Sequence, residues 1–438
     1  MIDLQQIAER VVQSTLDRGA QEASASMSRA THVNIVRREG RVEQATEATT
    51  RGLTVSLLKD DRYTSNSTSD LRPAALSEFI DRCVASASYL EPDPDRAQPA
   101  FEQCGRGSTD AHLDQDDASW HAWSPEDRLA QAVALEERLD ARRQDDVMSS
   151  AVHLSDGRSE AAFVLSNGFK DTDVGTWFAL GAELSLAEGD KRPEGTAFYA
   201  ARHLSDLPSP ESIASDADQR VRGRLGATVG ESGNYVMILE NRVAGRLLGT
   251  FGGALAGGAL HHKRSFLEGR LGQKVGSPLF HLVDDPTIPR GLGSRPWFGG
   301  GIVARPRTIV NDGVLEQYNI NVYYGRKLGM EPTGGRSNWI LRPGEQSWQS
   351  LVAGIDKAIL VTGFLGGNAN STTGDFSYGI RGHLVENGEI TQPLAEMNVA
   401  GNAGNIFERL VGVGNDPWTW SSTRSPTLVF DDVVFSGS

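Results

Sequence analysis

The chain has 438 residues, with 57 acidic against 43 basic side chains and a formal net charge of −14 with histidine neutral. Its 39 % hydrophobic and 23 % charged content supplies enough apolar surface to offset chain entropy, which excludes wholesale disorder, and the length suits two domains. An acidic balance without a block of Lys and Arg argues against nucleic acid and anionic membrane as partners, because both are bound by neutralising phosphate with cations.

In chain order, Leu4, Ile7, Val11 and Leu16 recur at helical spacing over residues 3–18, with Asp3 placed to cap the start and Gly19 to end it. Four strands are then expected at Ser24–Val36, Gly40–Ala48, Leu53–Leu58 and Tyr63–Thr68, separated by turn signals at Gly40, Gly52 and Asp60-Asp61. Pro73 suits the first turn of a further helix with a buried stripe of Leu76, Phe79, Ile80 and Val84. After a polar linker at about 91–123 the order repeats. A helix carries Leu129, Val133, Leu135 and Leu139 on one face; strands are expected at Val147–Leu154, Ala161–Leu165, Lys170–Ser185 and Ala197–Arg202, then a helix at Pro210–Arg224. Residues 1–220 thus read as an N-terminal domain of two helix/antiparallel-sheet/helix units, 1–90 and 124–220.

Glycine content changes near residue 220: the first 220 residues hold 11 glycines and the other 218 hold 37. Residues 221–438 therefore read as a separate, Gly-rich, β-rich domain, with short strands at Tyr235–Leu239, Gly301–Val303, Ile320–Tyr324, Ala358–Thr362 and Thr427–Phe430. The fold class expected is α+β. The run 247–260 reads as a buried helix whose glycines admit a close neighbour, and Glu386-Asn387-Gly388-Glu389 reads as a type I′ hairpin turn just after the strand residue His383.

Common catalytic signatures are missing. The GxxxxGK[ST] order does not occur around Lys263, Gly374–Gly379 has the wrong spacing for a GxSxG elbow, and there is no HExxH. His261 and His262 are adjacent and on a helix would point about 100° apart; His281 beside Asp284 and Asp285 is the best remaining cluster for a metal. Cys83 and Cys104 form neither a CxxC pair nor a Cys/His group, so a reducing compartment is the default. The start, Met1 to Gln6, has no leader pattern, and the 247–260 run is too short to span a bilayer; a cytoplasmic location is expected.

Several segments together resemble the TldD/PmbA family, the modulator-of-gyrase family, and within it the TldE/PmbA branch. They include Leu247–Leu260, Lys263–Leu267, Arg326–Gly329, Ser337-Asn338-Trp339, Thr373–Ser377, Val385–Ile390, Ala400-Gly401-Asn402 and Val413–Asp416, with looser agreement at Gly19–Ala23 and Ser67–Leu71. The resemblance implies a cytosolic peptidase assembly in which a TldD-like subunit carries zinc through HExxxH and a later cysteine, and acts on unfolded peptides such as leader segments or labile antitoxins. Where that motif would follow Tyr235–Leu239, this chain has Asn241-Arg242-Val243-Ala244-Gly245-Arg246, and no cysteine follows Cys104. Asn241 is a poor zinc ligand, and Arg242 and Arg246 stay protonated and repel the ion. The expectation is a chain that binds no zinc itself and pairs with a zinc-bearing TldD-like subunit.

One arginine of the degenerate motif is expected to bind a peptide carboxylate or a partner acid, and Arg246, Asp375, Ser377, Asn415 and Asp416 are the candidate peptide or partner contacts. Alternatives are a homodimeric peptide-binding module working by strand addition, and a divergent metallopeptidase using His261, His262 or His281. Two segments depart from expectation: Ser294–Gly301, Gly-rich from Trp297 where an acidic pair is common in the family, and Trp418-Thr419-Trp420, which suits either a partner anchor or the β core.

Overall fold

In the computed structural model, which describes residues 3–437, helix α1 (Leu4–Leu16) opens with the Asp3 carboxylate accepting the Gln6 N–H at 3.0 Å. The first two positions of the leader reading, Met1 and Ile2, lie outside the described residues, as does Ser438. Strands β1 (Glu22–Arg38), β2 (Arg41–Lys59) and β3 (Arg62–Thr68) follow, then helix α2 (Pro73–Ala87). The linker folds into short turns around helix α3 (Asp110–Leu113) before α4 (Pro125–Asp140), β4 (Val147–Leu165), β5 (Lys170–Leu186), β6 (Glu194–Ala201) and α5 (Pro210–Arg222).

All six strands form one antiparallel sheet in the order β3-β2-β1-β4-β5-β6, with β1 and β4 joining the units from Ser24↔Leu165 to Arg38↔Ala151. Each unit has three strands, not the four expected. Gly52 makes no turn; it lies inside β2 opposite Ser28, whereas the true hairpin turns sit at Glu39-Gly40 and Asp60-Asp61, where both residues adopt positive φ. The break expected after Leu154 is also absent. Asp156 points inward from the middle of β4, fully buried, and is neutralised by Arg128, whose Nε and Nη2 donate to it at 2.8 Å each, and by the Trp120 indole N–H at 2.7 Å. Arg128 and Glu136 consequently share the buried face of α4 with Ala132, Leu135 and Leu139, while Leu129 is exposed.

The C-terminal body starts with β7 (Thr228–Val229), β8 (Gly233–Leu239), α6 (Ala244–Ala254) and α7 (Gly257–His261). It continues with β9 (Leu282–Asp284), β10 (Arg307–Asn311), β11 (Val314–Leu315), α8 (Val322–Leu328), β12 (Trp339–Leu341), α9 (Trp348–Ala353), β13 (Lys357–Ala369), β14 (Asp375–Glu386), β15 (Glu389–Asn402), β16 (Leu410–Val413), β17 (Thr423–Arg424) and β18 (Leu428–Gly437). A five-stranded sheet runs β11-β10-β9-β12-β17. A seven-stranded one runs β16-β18-β8-β13-β14-β15-β7 and closes on itself, since β18 also pairs with β15. Leu247, Leu248 and Phe251 of α6 join the core made by the inward residues of this ring.

Glycines let α6 and α7 sit close to their neighbours. A methyl at Gly252 would collide with the ring edge of fully buried Trp339, and one at Gly257 would lie 2.8 Å from the Tyr324 Cβ. The turn between β14 and β15 has positive φ at Asn387 and Gly388, as a type I′ hairpin requires. The strand expected at Ile320–Tyr324 is instead the start of α8. Asn321 caps the Tyr324 N–H at 2.8 Å and Gly329 ends the helix at φ 64°, so local capping prevails over the β preference of Val322 and two tyrosines. Of the strand expected at Gly301–Val303 only isolated bridges form, Ile302 to Cys104 and Val303 to Trp297; Gly300 and Gly301 turn at φ 81° and 79°, and a methyl at Gly301 would press on Phe169. The class is α+β.

Candidate functional site

The chain leaves β8 at Leu239 and makes a turn over Glu240–Val243 before α6, so Asn241 and Arg242 precede the helix and only Arg246 lies on it. Asn241 Nδ2 donates to the Asp416 carbonyl at 2.7 Å and reaches its carboxylate at 3.3 Å. That carboxylate also accepts the Thr427 N–H (3.0 Å) and hydroxyl (2.8 Å). Asn241, Arg242 and Asp416 line one cleft of about 240 Å³ with Glu240, Trp418 and Thr427 among its other walls.

Arg242 reaches from this cleft towards the N-terminal half. Its Nη1 lies 2.5 Å from Asp216 Oδ2 on α5, its Nη2 donates to the Tyr199 hydroxyl of β6 at 3.1 Å, and its guanidinium stacks 4.1 Å from the Trp418 ring centroid. Arg220 pairs with both Asp216 (3.1 Å) and Glu240. Burial pushes the Tyr199 phenol up from its ordinary value, against the pull of Arg242. Trp418 and Trp420 pack on the Tyr199 ring at 5.2 and 5.1 Å, so these half-buried tryptophans dock on the N-terminal unit and neither anchors the β ring. Sequence reasoning missed Asp216, Tyr199 and Glu240; no spacing signals them, since Asp216 and Arg242 meet only where α5 reaches the turn that follows β8.

The other candidates are dispersed. Arg246 is exposed, donates to the Gly366 carbonyl at 3.2 Å and stacks 4.5 Å over Tyr378. Asp375 and Ser377 are exposed on β14; hydrogen bonds from Asn402 (2.7 Å) and Thr373 (2.8 Å) hold the Asp375 carboxyl below the usual carboxylate range. Asn415 is exposed and reaches the Glu345 carbonyl at 3.4 Å. His281 approaches Asp312 (3.2 Å), while Asp284 is fully buried on Arg307 and Ser337, so the expected histidine–acid cluster does not form. His261 and His262 lie ring to ring at 5.0 Å and face Tyr324.

Among the described residues no three His, Cys, Asp or Glu side chains converge as a metal site would require. The zinc implied for catalytic members of the family does not fit these residues: the Asn241 amide is committed to Asp416, and a guanidinium occupies position 242. No helix among the described residues is long and apolar enough to cross a membrane.

Residues 232–437 match the PmbA/TldA metallopeptidase C-terminal domain, and residues 23–87 match domain 1 of the same family. The chain is 27 % identical over 420 residues to metalloprotease PmbA of Escherichia coli O157:H7, covering 95 % of this chain and 92 % of that protein. A crystal structure of a protein described as a candidate modulator of DNA gyrase from Bacteroides thetaiotaomicron superposes with a TM-score of 0.94 at 36 % identity, covering 99 % and 98 % of the two chains. TldE from Thermococcus kodakarensis shares the fold, with a TM-score of 0.87 at 19 % identity over 98 % of this chain and 100 % of that one. The chain belongs to the PmbA/TldD family.

Proposed function

We propose that this chain is the noncatalytic, TldE/PmbA-like subunit of a cytoplasmic two-subunit zinc metallopeptidase that processes unfolded peptides, with catalysis in a TldD-like partner. The observation that carries this reading is the use made of the motif positions: Asn241 is locked to Asp416 and Thr427, and Arg242 is spent on Asp216 and Tyr199. A water-activating zinc enzyme needs anionic or imidazole donors and a general base, and these positions supply neither. The metalloprotease name of the E. coli relative supports peptide hydrolysis as the chemistry of the assembly, and the TldE name of a structural neighbour supports the branch. Arg246, Asp375, Ser377 and Asn415 are exposed and available to a peptide or to the partner, whereas both carboxylate oxygens of Asp416 are already engaged.

The test is zinc content and cleavage of an unstructured peptide by the purified chain, alone and mixed with a cognate TldD-like subunit. A zinc-free, inert chain whose mixture cuts is the expected result. Stoichiometric zinc in this chain, or cleavage by it alone, would overturn the reading.

A further inference from the structure

A larger cleft, of about 780 Å³, lies between the first unit of the N-terminal sheet and the C-terminal body and shares no lining residue with the Asn241 cleft. Leu57, Tyr63 and Phe163 from the sheet and Val322 and Tyr323 from α8 make its walls largely apolar. The polar groups on the C-terminal wall are Asn319, Asn321 and Arg336, and chemistry fixes which way the two amides face. Arg307 Nη2 donates to Asn319 Oδ1 at 2.8 Å, and the Tyr324 N–H donates to Asn321 Oδ1 at 2.8 Å. Guanidinium and backbone N–H groups only donate, so each amide must give its oxygen to the protein and keep its NH2 for something else. Neither NH2 has an acceptor among the described residues; Asn321 is exposed and Asn319 half-buried.

Arg336 adds a cation to this wall. It donates to the Thr423 hydroxyl, stacks 4.3 Å over Trp339, and has no carboxylate at ion-pair distance among the described residues. Burial pushes its guanidinium below the ordinary value, with Asp284 opposing at longer range. Asp284 itself is committed: it accepts the Ser337 N–H (2.7 Å), the Ser337 hydroxyl (2.6 Å) and Arg307 (2.8 Å), which fixes the segment carrying Arg336. Fixed donors without acceptors beside apolar walls are complementary to a carboxylate on an apolar body, and the volume suits a short peptide. Elsewhere in the lining Glu22, its sole acid, accepts the Gln98 N–H at 2.7 Å, and Arg96 lies stacked over Tyr63 (4.6 Å) and Tyr323 (3.6 Å).

We propose that this cleft binds short apolar peptides by their free α-carboxylate, Arg336, Asn319 and Asn321 donating to the carboxylate and Leu57, Phe163 and Val322 covering the side chains. The site goes beyond the subunit role above and does not depend on it. The test is calorimetric titration of the full chain with Leu-Leu-Phe, its C-terminal amide and octanoate. The free acid should bind with a Kd of about 0.1 mM and the amide and octanoate roughly tenfold more weakly. Asn321→Asp keeps the α8 cap but faces the ligand with a carboxylate, so it should weaken the free acid by roughly tenfold without lowering the melting temperature. Arg336→Met should lose as much. Equal affinity for acid and amide, binding of neither, or undiminished binding in both variants overturns the proposal; octanoate binding as tightly as the peptide overturns its assignment to peptides.

Discussion

Replacing Arg242 with methionine should loosen the joint between the N-terminal sheet and the C-terminal body, at a cost of about 2 kcal/mol. The ion pair with Asp216 is 2.5 Å long, and its side chains are only 23 % and 18 % exposed. A charged hydrogen bond in such a place contributes about 1.5–3 kcal/mol. The stacking of the guanidinium on Trp418 at 4.1 Å adds about 1 kcal/mol. Part of this is returned, because Arg220 remains 3.1 Å from Asp216 after the loss and keeps that carboxylate partnered. Lysine at 242 should recover less than half, since it cannot both stack flat on Trp418 and reach Asp216 and Tyr199 with separate nitrogens. The assay is urea unfolding followed by tryptophan fluorescence, with Asp216→Asn completing a double-mutant cycle; the coupling should be about 1 kcal/mol or more. A coupling below about 0.3 kcal/mol would refute the argument, because Arg242 would then be an unengaged cation available to a ligand.

Gly252→Ala forces a methyl against Trp339 and should cost about 1–3 kcal/mol by overpacking; an unshifted melting temperature and tryptophan spectrum would contradict that contact. Asp156→Ala strands the buried Arg128 cation and should cost about 3–5 kcal/mol in denaturant, and adding Arg128→Met should recover most of it. The Asp375 carboxyl titrates below its unfolded range, so whatever it contributes to its turn is complete above the unfolded value and lost as pH falls through the folded one. Carbon NMR of Asp375 should show its titration moving up in Asn402→Ala, and no movement would sink the assignment. If the proposed two-subunit reading holds, Arg246→Ala should weaken peptide capture by the mixture with a TldD-like subunit while leaving the chain's own unfolding midpoint unchanged; unaltered capture and partner affinity would remove that role.

The helices were legible wherever the signals were local. Asp3, Pro73 and Gly19 bound α1 and α2 in the sequence as in the fold, and Asn387-Gly388 marks its own turn because only residues tolerant of positive φ suit it. The strand count was not legible, because Gly52 and Asp156-Gly157 have the composition of turns while their surroundings make them strand. Asp156 is acceptable inside β4 only because Arg128, 28 residues earlier, neutralises it. The same limit hides the site. Asn241 and Asp416 are 175 residues apart, and Asp216 and Tyr199, which hold Arg242, lie in the other half of the chain.

The charges around Arg242 decide how the degenerate motif can act. Asp216 and Glu240 pair with Arg220 and Arg242, and Asp416 adds a third acid to the cleft beside Asn241, so the cleft offers little attraction to a peptide carboxylate. A guanidinium where the zinc motif has its glutamate would capture acids if it stood alone; here it is paired with Asp216 and stacked on Trp418. Arg246, four residues on and inside α6, is exposed beside Tyr378, and its guanidinium's only polar contact among the described residues is the Gly366 carbonyl. The two arginines that read alike in sequence therefore differ in engagement: Arg242 bridges the two halves of the chain through Asp216 and Tyr199, and Arg246 is exposed with no carboxylate paired to it among the described residues.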